Sequence, residues 1–214
     1  MSGPVDWAEE TEARLLNAMI VHAPRQGWTQ LAIVAAARDI GLTAAEAELL
    51  APNGPRDLAA LMARHHDQRA MEALSHLDPA SLKIRERIRL GVLARCDAAV
   101  DDEPATRRWM GFLALPTNVP LAMRLTWASA DAIWRWAGDV ATDENHYSKR
   151  ALLAEILIST LAIRLATGGA DAATHLDARI EAVMAFERWK AGLKPSQIVS
   201  GLAARLGRLR YGSA

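Results

Sequence analysis

The chain has 214 residues, 51% of them apolar, with 25 basic and 25 acidic side chains and a formal net charge of zero. That length suffices for one well-packed domain, or one domain with a small appended lobe, without metals or disulfides to hold it. Zero net charge excludes a molecule that attracts nucleic acid as a whole, and the lone Cys96 excludes an intrachain disulfide. The amino terminus is acidic and has no apolar run, so neither a secretory signal nor a transit peptide is expected. No stretch offers the ~20 uninterrupted apolar residues of a spanning helix. The richest run, residues 151–166, is broken by Glu155 and Arg164. The expectation is a soluble, cytoplasmic protein whose contact with the inner membrane is peripheral.

Apolar spacing of three and four along nearly the whole chain predicts an all-α fold of about ten helices. Asp6 is expected to cap a first helix running to about Pro24. Thr29 opens a second, which Gly41 ends, and Thr43 with Glu46 forms a capping box for a short third. After the turn at residues 52–55 a long amphipathic helix runs to Leu77. Asp78-Pro79 starts the next, reaching about Val100, and a helix over residues 104–115 follows. Pro116 and Pro120 bracket an elbow. Helices are then expected over residues 120–137 and 145–167, with the Gly168-Gly169 pair leading into one over residues 171–191. A last segment, residues 195–209, carries Gly201 and Gly207.

The first three helices, with the corner Ile40-Gly41-Leu42-Thr43, have the order of a helix-turn-helix ahead of a larger helical body. That order resembles the TetR family of regulators, in which the third helix enters the major groove. DNA reading needs cations there. The third helix instead carries Glu46 and Glu48 with no basic residue, and acids outnumber bases across the first sixty residues. The scaffold is TetR-regulator-like, with a degenerate reading head and no nucleic-acid partner. A ligand-responsive transcriptional regulator is the alternative function.

No catalytic constellation is visible. His65-His66 and His76 lack the i, i+4 spacing of two ligands on one helical face. No Glu-x-x-His pair, Gly-rich phosphate loop or nucleophile elbow occurs. Of His65 and His66, one is expected half buried and the other solvated. The expectation is a non-enzyme with no metal and no cofactor.

Residues 134–150 are the densest feature. Gly138 suits the left-handed end of a helix, and Thr142 or Asp143 suits the cap of the next. Asp143, Tyr147 and Arg150 follow an i, i+4, i+7 pattern that puts them on one face. Trp134, Ala137, Gly138, Asp139, Thr142, Asp143, Asn145, Tyr147 and Arg150 together resemble the signature of the Coq-nine family. These are accessory lipid-binding proteins of ubiquinone (coenzyme Q) biosynthesis. Residues 115–120, with Leu115, Pro116, Asn118 and Pro120, resemble a second family segment. Departures are Ala141 for serine, Ser148 for threonine and His146 for tryptophan.

The resemblance implies a TetR-like fold that has lost DNA binding, a pocket for isoprenoid lipid or quinone, and a homodimer. It also implies a patch that presents quinone intermediates to the Coq-seven-type demethoxyubiquinone hydroxylase. Leu115, Pro116, Asn118, Asp139, Asp143, His146, Tyr147 and Arg150 are the expected partner-binding residues.

Trp127 and Trp134 lie seven apart on one helix, with Met123 near the same face, while Leu153, Ile156 and Leu157 lie on the next. Those six are the expected lipid-binding residues. Residues 192–214 carry Lys194, Arg205, Arg208 and Arg210 and no acid. There Ile198, Val199, Leu202, Leu206 and Leu209 share one arc of a helical projection, bordered by Arg205 and Arg210. That arrangement suits an amphipathic membrane foot in which the cations snorkel to headgroups. The expected organisation is a degenerate bundle over residues 1–52, a lipid-binding and dimerisation body over 53–192, and an amphipathic segment over 193–214.

Overall fold

A computed structural model describes residues 4–139 and 144–192, with side chains over 7–139 and 147–185. The described helices are α1 (Pro4–Gln26), α2 (Gln30–Asp39), α3 (Ala44–Leu50), α4 (Pro55–Leu74), α5 (Ile84–Val100), α6 (Glu103–Leu113), α7 (Val119–Trp136), α8 (Glu144–Thr167) and α9 (Gly169–Gly192). No strand occurs among the described residues. The order of three amino-terminal helices before a larger helical body is that of a TetR-like fold, as the sequence predicts.

Local chemistry sets most of the boundaries. The Thr29 hydroxyl accepts from the Ala32 N–H at the start of α2. Thr43 and Glu46 form the expected reciprocal box on α3. Pro55, Pro104 and Pro120 occupy the first turns of α4, α6 and α7, where no intrahelical donor is lost.

Three boundaries differ from expectation. Helix α1 starts at Pro4, so Asp6 lies in its first turn rather than ahead of it. Helix α4 stops at Leu74, short of Leu77. Asp78-Pro79 opens only a short 3₁₀ turn, Pro79–Ser81, because Leu82 and Lys83 are extended. Helix α5 begins anew at Ile84, where the Glu86 carboxylate accepts from the Lys83 N–H.

Two apolar cores result. The first joins α1, α2 and α3 to α4, α6 and the start of α7 through Leu15, Met19, Ile33, Met62, Trp109 and Leu121. It runs across residue 52 without a break. The second joins α5, α7, α8 and α9 through Val92, Cys96, Ile133, Leu153, Leu157 and Leu176. Met110 packs against both. Helices α5 and α7 approach closely at Gly91, where a Cβ would stand 2.5 Å from Ile133 Cγ2.

Candidate functional site

Between the two cores lies a cavity of about 330 Å³, lined from α4, α5, α6, α7 and α8. Its walls are apolar: Trp109, Met110, Leu113, Leu125, Leu157 and Leu161. The mouth is marked by exposed Val119, Met123 and Ile158, and the floor by buried Ala63, Arg95 and Ser129. At that floor Arg95, 3% exposed, donates from Nε to Asp67 Oδ1 at 2.5 Å. The Ser129 hydroxyl donates to the same oxygen at 2.7 Å.

The proline elbow forms one side of the mouth. Its 3₁₀ turn, Pro116–Asn118, leads directly into α7. Asn118 is buried: its Nδ2 donates to Phe112 O at 3.0 Å, and its Oδ1 accepts from Arg56 Nε at 3.1 Å. Arg56 also donates to Thr117 O at 2.5 Å, which pins the elbow to the start of α4. Leu115 and Pro116 stay exposed.

A second groove, about 460 Å³, lies between α5, α7, α8 and α9. Trp134, Leu153 and Ile156 line it, beside an ion-pair network. Helix α7 ends in a Schellman motif at Gly138, φ +87°: the Gly138 N–H reaches Arg135 O and the Asp139 N–H reaches Trp134 O, both at 3.0 Å. Arg87 donates to Ala137 O at 2.7 Å, capping the same end.

The turn delivers Asp139 to Lys149 Nζ at 2.9 Å and to Arg150 Nη1 at 3.1 Å. Arg150 Nε reaches Asp131 Oδ1 at 2.6 Å, and Asp131 also accepts from Arg135. Burial alone would raise both aspartates. Hydrogen bonds from Arg135 and Arg150 outweigh it at Asp131, and bonds from Lys149 and Arg150 outweigh it at Asp139, so both sit below the usual carboxylate range. The Trp134 indole N–H donates to Lys149 O at 3.2 Å, with Lys149 Nζ 5.3 Å from the ring centroid.

The expected lipid-binding residues therefore divide. Met123 and Leu157 line the first cavity, while Trp134, Leu153 and Ile156 line the second groove. Trp127 lies against Tyr147 instead, ring centroids 6.1 Å apart. The expected partner-binding residues divide too. Leu115, Pro116 and Tyr147 are exposed, whereas Asn118 is buried and Asp139 and Arg150 form the α7–α8 network. Arg150 is 2% exposed, so it and Tyr147 point different ways. Asp143 and the His146 side chain lie outside the described residues, as do Ile198, Val199, Leu202, Arg205, Leu206, Leu209 and Arg210.

The histidine pair differs from expectation. His66 is fully buried, edge-on to Trp109, and His65 is partly buried, because α4 is covered on that side by α6. Among the described residues no group of three or more His, Cys, Asp or Glu is placed to hold a metal. No described helix is long and apolar enough to cross a membrane.

Asp67, Arg95, Ser129 and Asp131 went unnoticed in the sequence. Only Asp131 leaves a signal there, its i, i+4 spacing to Arg135.

Comparison with known proteins bears on the same region. The COQ9 family model matches residues 119–187, from the start of α7 into α9. Among curated relatives, ubiquinone biosynthesis protein COQ9, mitochondrial, of Rattus norvegicus is 28% identical over 177 residues, covering 76% of this chain and 54% of that protein. The Homo sapiens protein of the same name is 27% identical over 169 residues, covering 76% and 53%. The Drosophila melanogaster one is 26% identical over 168 residues, covering 74% and 51%. The chain spans about half the length of the curated relatives it matches. The Coq-nine resemblance drawn from residues 134–150 is thus shown as a resemblance: residues 119–187 match the COQ9 family model, and the likeness to the curated COQ9 proteins extends over three quarters of the chain.

Proposed function

We propose that this protein is a non-enzymatic, lipid-binding accessory protein of ubiquinone biosynthesis. In this reading it holds an isoprenoid quinone intermediate and presents it at the membrane to the demethoxyubiquinone hydroxylase. The observation that carries the reading is the apolar cavity of about 330 Å³ opening beside the proline elbow. Its volume falls within the range of small-molecule sites, and two of its few polar residues, Arg95 and Ser129, meet at Asp67. The names of the curated relatives support the pathway.

The presenting surface comprises Leu115 and Pro116 on the elbow and Tyr147 on α8, all exposed near the mouth helix α7. Exposed aromatic and apolar groups of this kind anchor partner interfaces. Asn118, Asp139 and Arg150 serve that surface from beneath by fixing the elbow and the α7–α8 corner. A homodimer and a membrane foot over residues 193–214 complete the proposal, the latter resting on the basic and apolar pattern of the tail. Transcriptional regulation is disfavoured by α3, where Glu46 and Glu48 face any phosphate that approaches.

Uptake of the apolar dye Nile red tests the cavity. The wild-type protein is expected to bind it, and Val119→Glu with Met123→Glu at the exposed mouth is expected to weaken binding at least tenfold with the unfolding midpoint unchanged. Binding that ignores both substitutions would refute the assignment of this cavity.

A further inference from the structure

The groove between α5, α7, α8 and α9 sets apolar walls beside a surplus of positive charge. Its volume is about 460 Å³, and Ile88, Leu153, Ile156, Ile180 and Val183 form its walls. Arg85, Arg87 and Lys149 line it too, and all three keep surface open to solvent. Arg87 and Lys149 come together at the end of α7, where Arg87 donates to Ala137 O at 2.7 Å and Lys149 bonds Asp139 at 2.9 Å. The three cations meet one acid in the groove wall, Asp139, which leaves an excess of two positive charges. Counting their ion-pair neighbours, Glu181 at Arg85 and Arg150 at Asp139, keeps the excess at two. Among the described residues Arg87 donates only to the main-chain carbonyls of Leu82 and Ala137, which carry no full charge. Capping α7 accounts for Arg87 and fastening the corner accounts for Lys149. Neither accounts for the open apolar walls beside them, where Ile84, Leu152 and Met184 line the groove and stay exposed.

We propose that this groove is a second lipid site, taking a single-chain amphiphile whose head is an anion, either a carboxylate or a phosphate monoester. The chain lies along Ile88, Leu153, Ile156 and Ile180, and the head meets Arg85, Arg87 and Lys149. A charged head is tolerated there because these side chains are partly in water, so it is not left in a dry apolar site. An anion gains charge-assisted hydrogen bonds from arginine, whereas a cationic head is repelled. Like charge also disfavours the chain's own carboxy-terminal segment as occupant, since residues 192–214 carry Lys194, Arg205, Arg208 and Arg210 and no acid. The site is independent of the cavity between the two cores, because among the described residues none lines both.

Calorimetric titration of the full chain with decyl phosphate, decanoate and decanol, all below micelle formation, tests this. The wild type is expected to bind one or both anions at least tenfold more tightly than decanol, a hydrogen bond to a charged group being worth about 10- to 100-fold. Which anion binds distinguishes a phosphorylated lipid from a fatty acid. Leu152→Glu with Met184→Glu, both at exposed positions, is expected to abolish anion binding with the unfolding midpoint unchanged. Arg85→Gln is expected to weaken anion binding about threefold and to leave decanol unaffected. Val119→Glu with Met123→Glu, at the mouth of the first cavity, is expected to leave anion binding intact. Should the variant at Leu152 and Met184 not fold, Arg85→Gln and the variant at Val119 and Met123 decide. Decanol binding as tightly as both anions overturns the anionic class. Anion binding lost in the Val119 and Met123 variant and kept in the Leu152 and Met184 variant overturns the groove and leaves the first cavity standing. Binding seen only after removal of residues 194–214, or only on dilution to monomer, overturns the proposal in favour of the tail or a second copy as occupant. No binding under any of these conditions overturns it outright.

Discussion

Arg150 and Tyr147 are three residues apart on α8, and the fold gives them opposite fates. Arg150 is 2% exposed and bonds Asp131 and Asp139, whereas Tyr147 is 64% exposed. Arg150→Met strands two aspartates in a poorly hydrated corner and is expected to destabilise the fold by about 3 kcal/mol, the low end for breaking a buried pair because Arg135 and Lys149 remain. Tyr147→Ala is expected to stay within about 0.5 kcal/mol of wild type. Its effect should appear instead in pull-down of the hydroxylase. Urea unfolding of the two variants separates these roles.

His66 makes a pH prediction at the same scale. Burial, opposed by Asp102 and reinforced by Arg95 and His65, pushes its imidazole down to about 4. The folded state therefore keeps His66 neutral while the unfolded chain protonates it below about 6.5. Stability is then full above that value and falls as pH drops from about 6.5 to 4, by about 3 kcal/mol if the whole shift is realised. The lowered aspartates, Asp102, Asp131 and Asp139, are lost only below the usual carboxylate range, so the two windows are distinct. Urea midpoints at pH 7 and 4.5 should differ in the wild type and converge in His66→Gln.

At the scale of elements, the crossing of α5 and α7 depends on one missing methyl group. Gly91→Ala places a Cβ 2.5 Å from Ile133 Cγ2. Ile133 is buried with a stiff branched side chain, so the helices must part, at about 1–3 kcal/mol. Ile133→Ala removes that Cγ2, so the double variant is expected to lose less in thermal unfolding than the two single variants added together.

Helix starts and the Gly138 corner were legible in the sequence because they depend on neighbours: Thr29, Thr43 with Glu46, and a glycine after a helix. The elbow was legible as a break but not as a fastened one, since Arg56 is about sixty positions from Asn118 in the chain. The α7–α8 network and the Arg95–Asp67 pair were hidden for the same reason. Arginine is exposed by default, and only the packing of α4 on α5 and of α7 on α8 buries these two. Apolar periodicity placed Met123 and Leu157 on helices that line the first cavity. It did not divide Leu157 from Leu153 and Ile156, which face different cavities.

At the scale of the whole molecule, an apolar cavity lies between two cores beside the elbow, Tyr147 is turned outward, and residues 193–214 combine basic and apolar side chains. Removal of residues 194–214 is expected to abolish flotation with anionic liposomes while leaving the unfolding midpoint of the helical body unchanged. Flotation that survives the truncation would move the membrane contact elsewhere. The central claim, that the body carries an isoprenoid lipid, is tested most directly by organic extraction of the purified protein followed by mass spectrometry. A polyprenyl quinone or related isoprenoid is expected, retained by the wild type and depleted in the variant carrying Val119→Glu and Met123→Glu. Recovery of no lipid from the wild type, even after incubation with polyprenyl quinone in vesicles, would contradict the account.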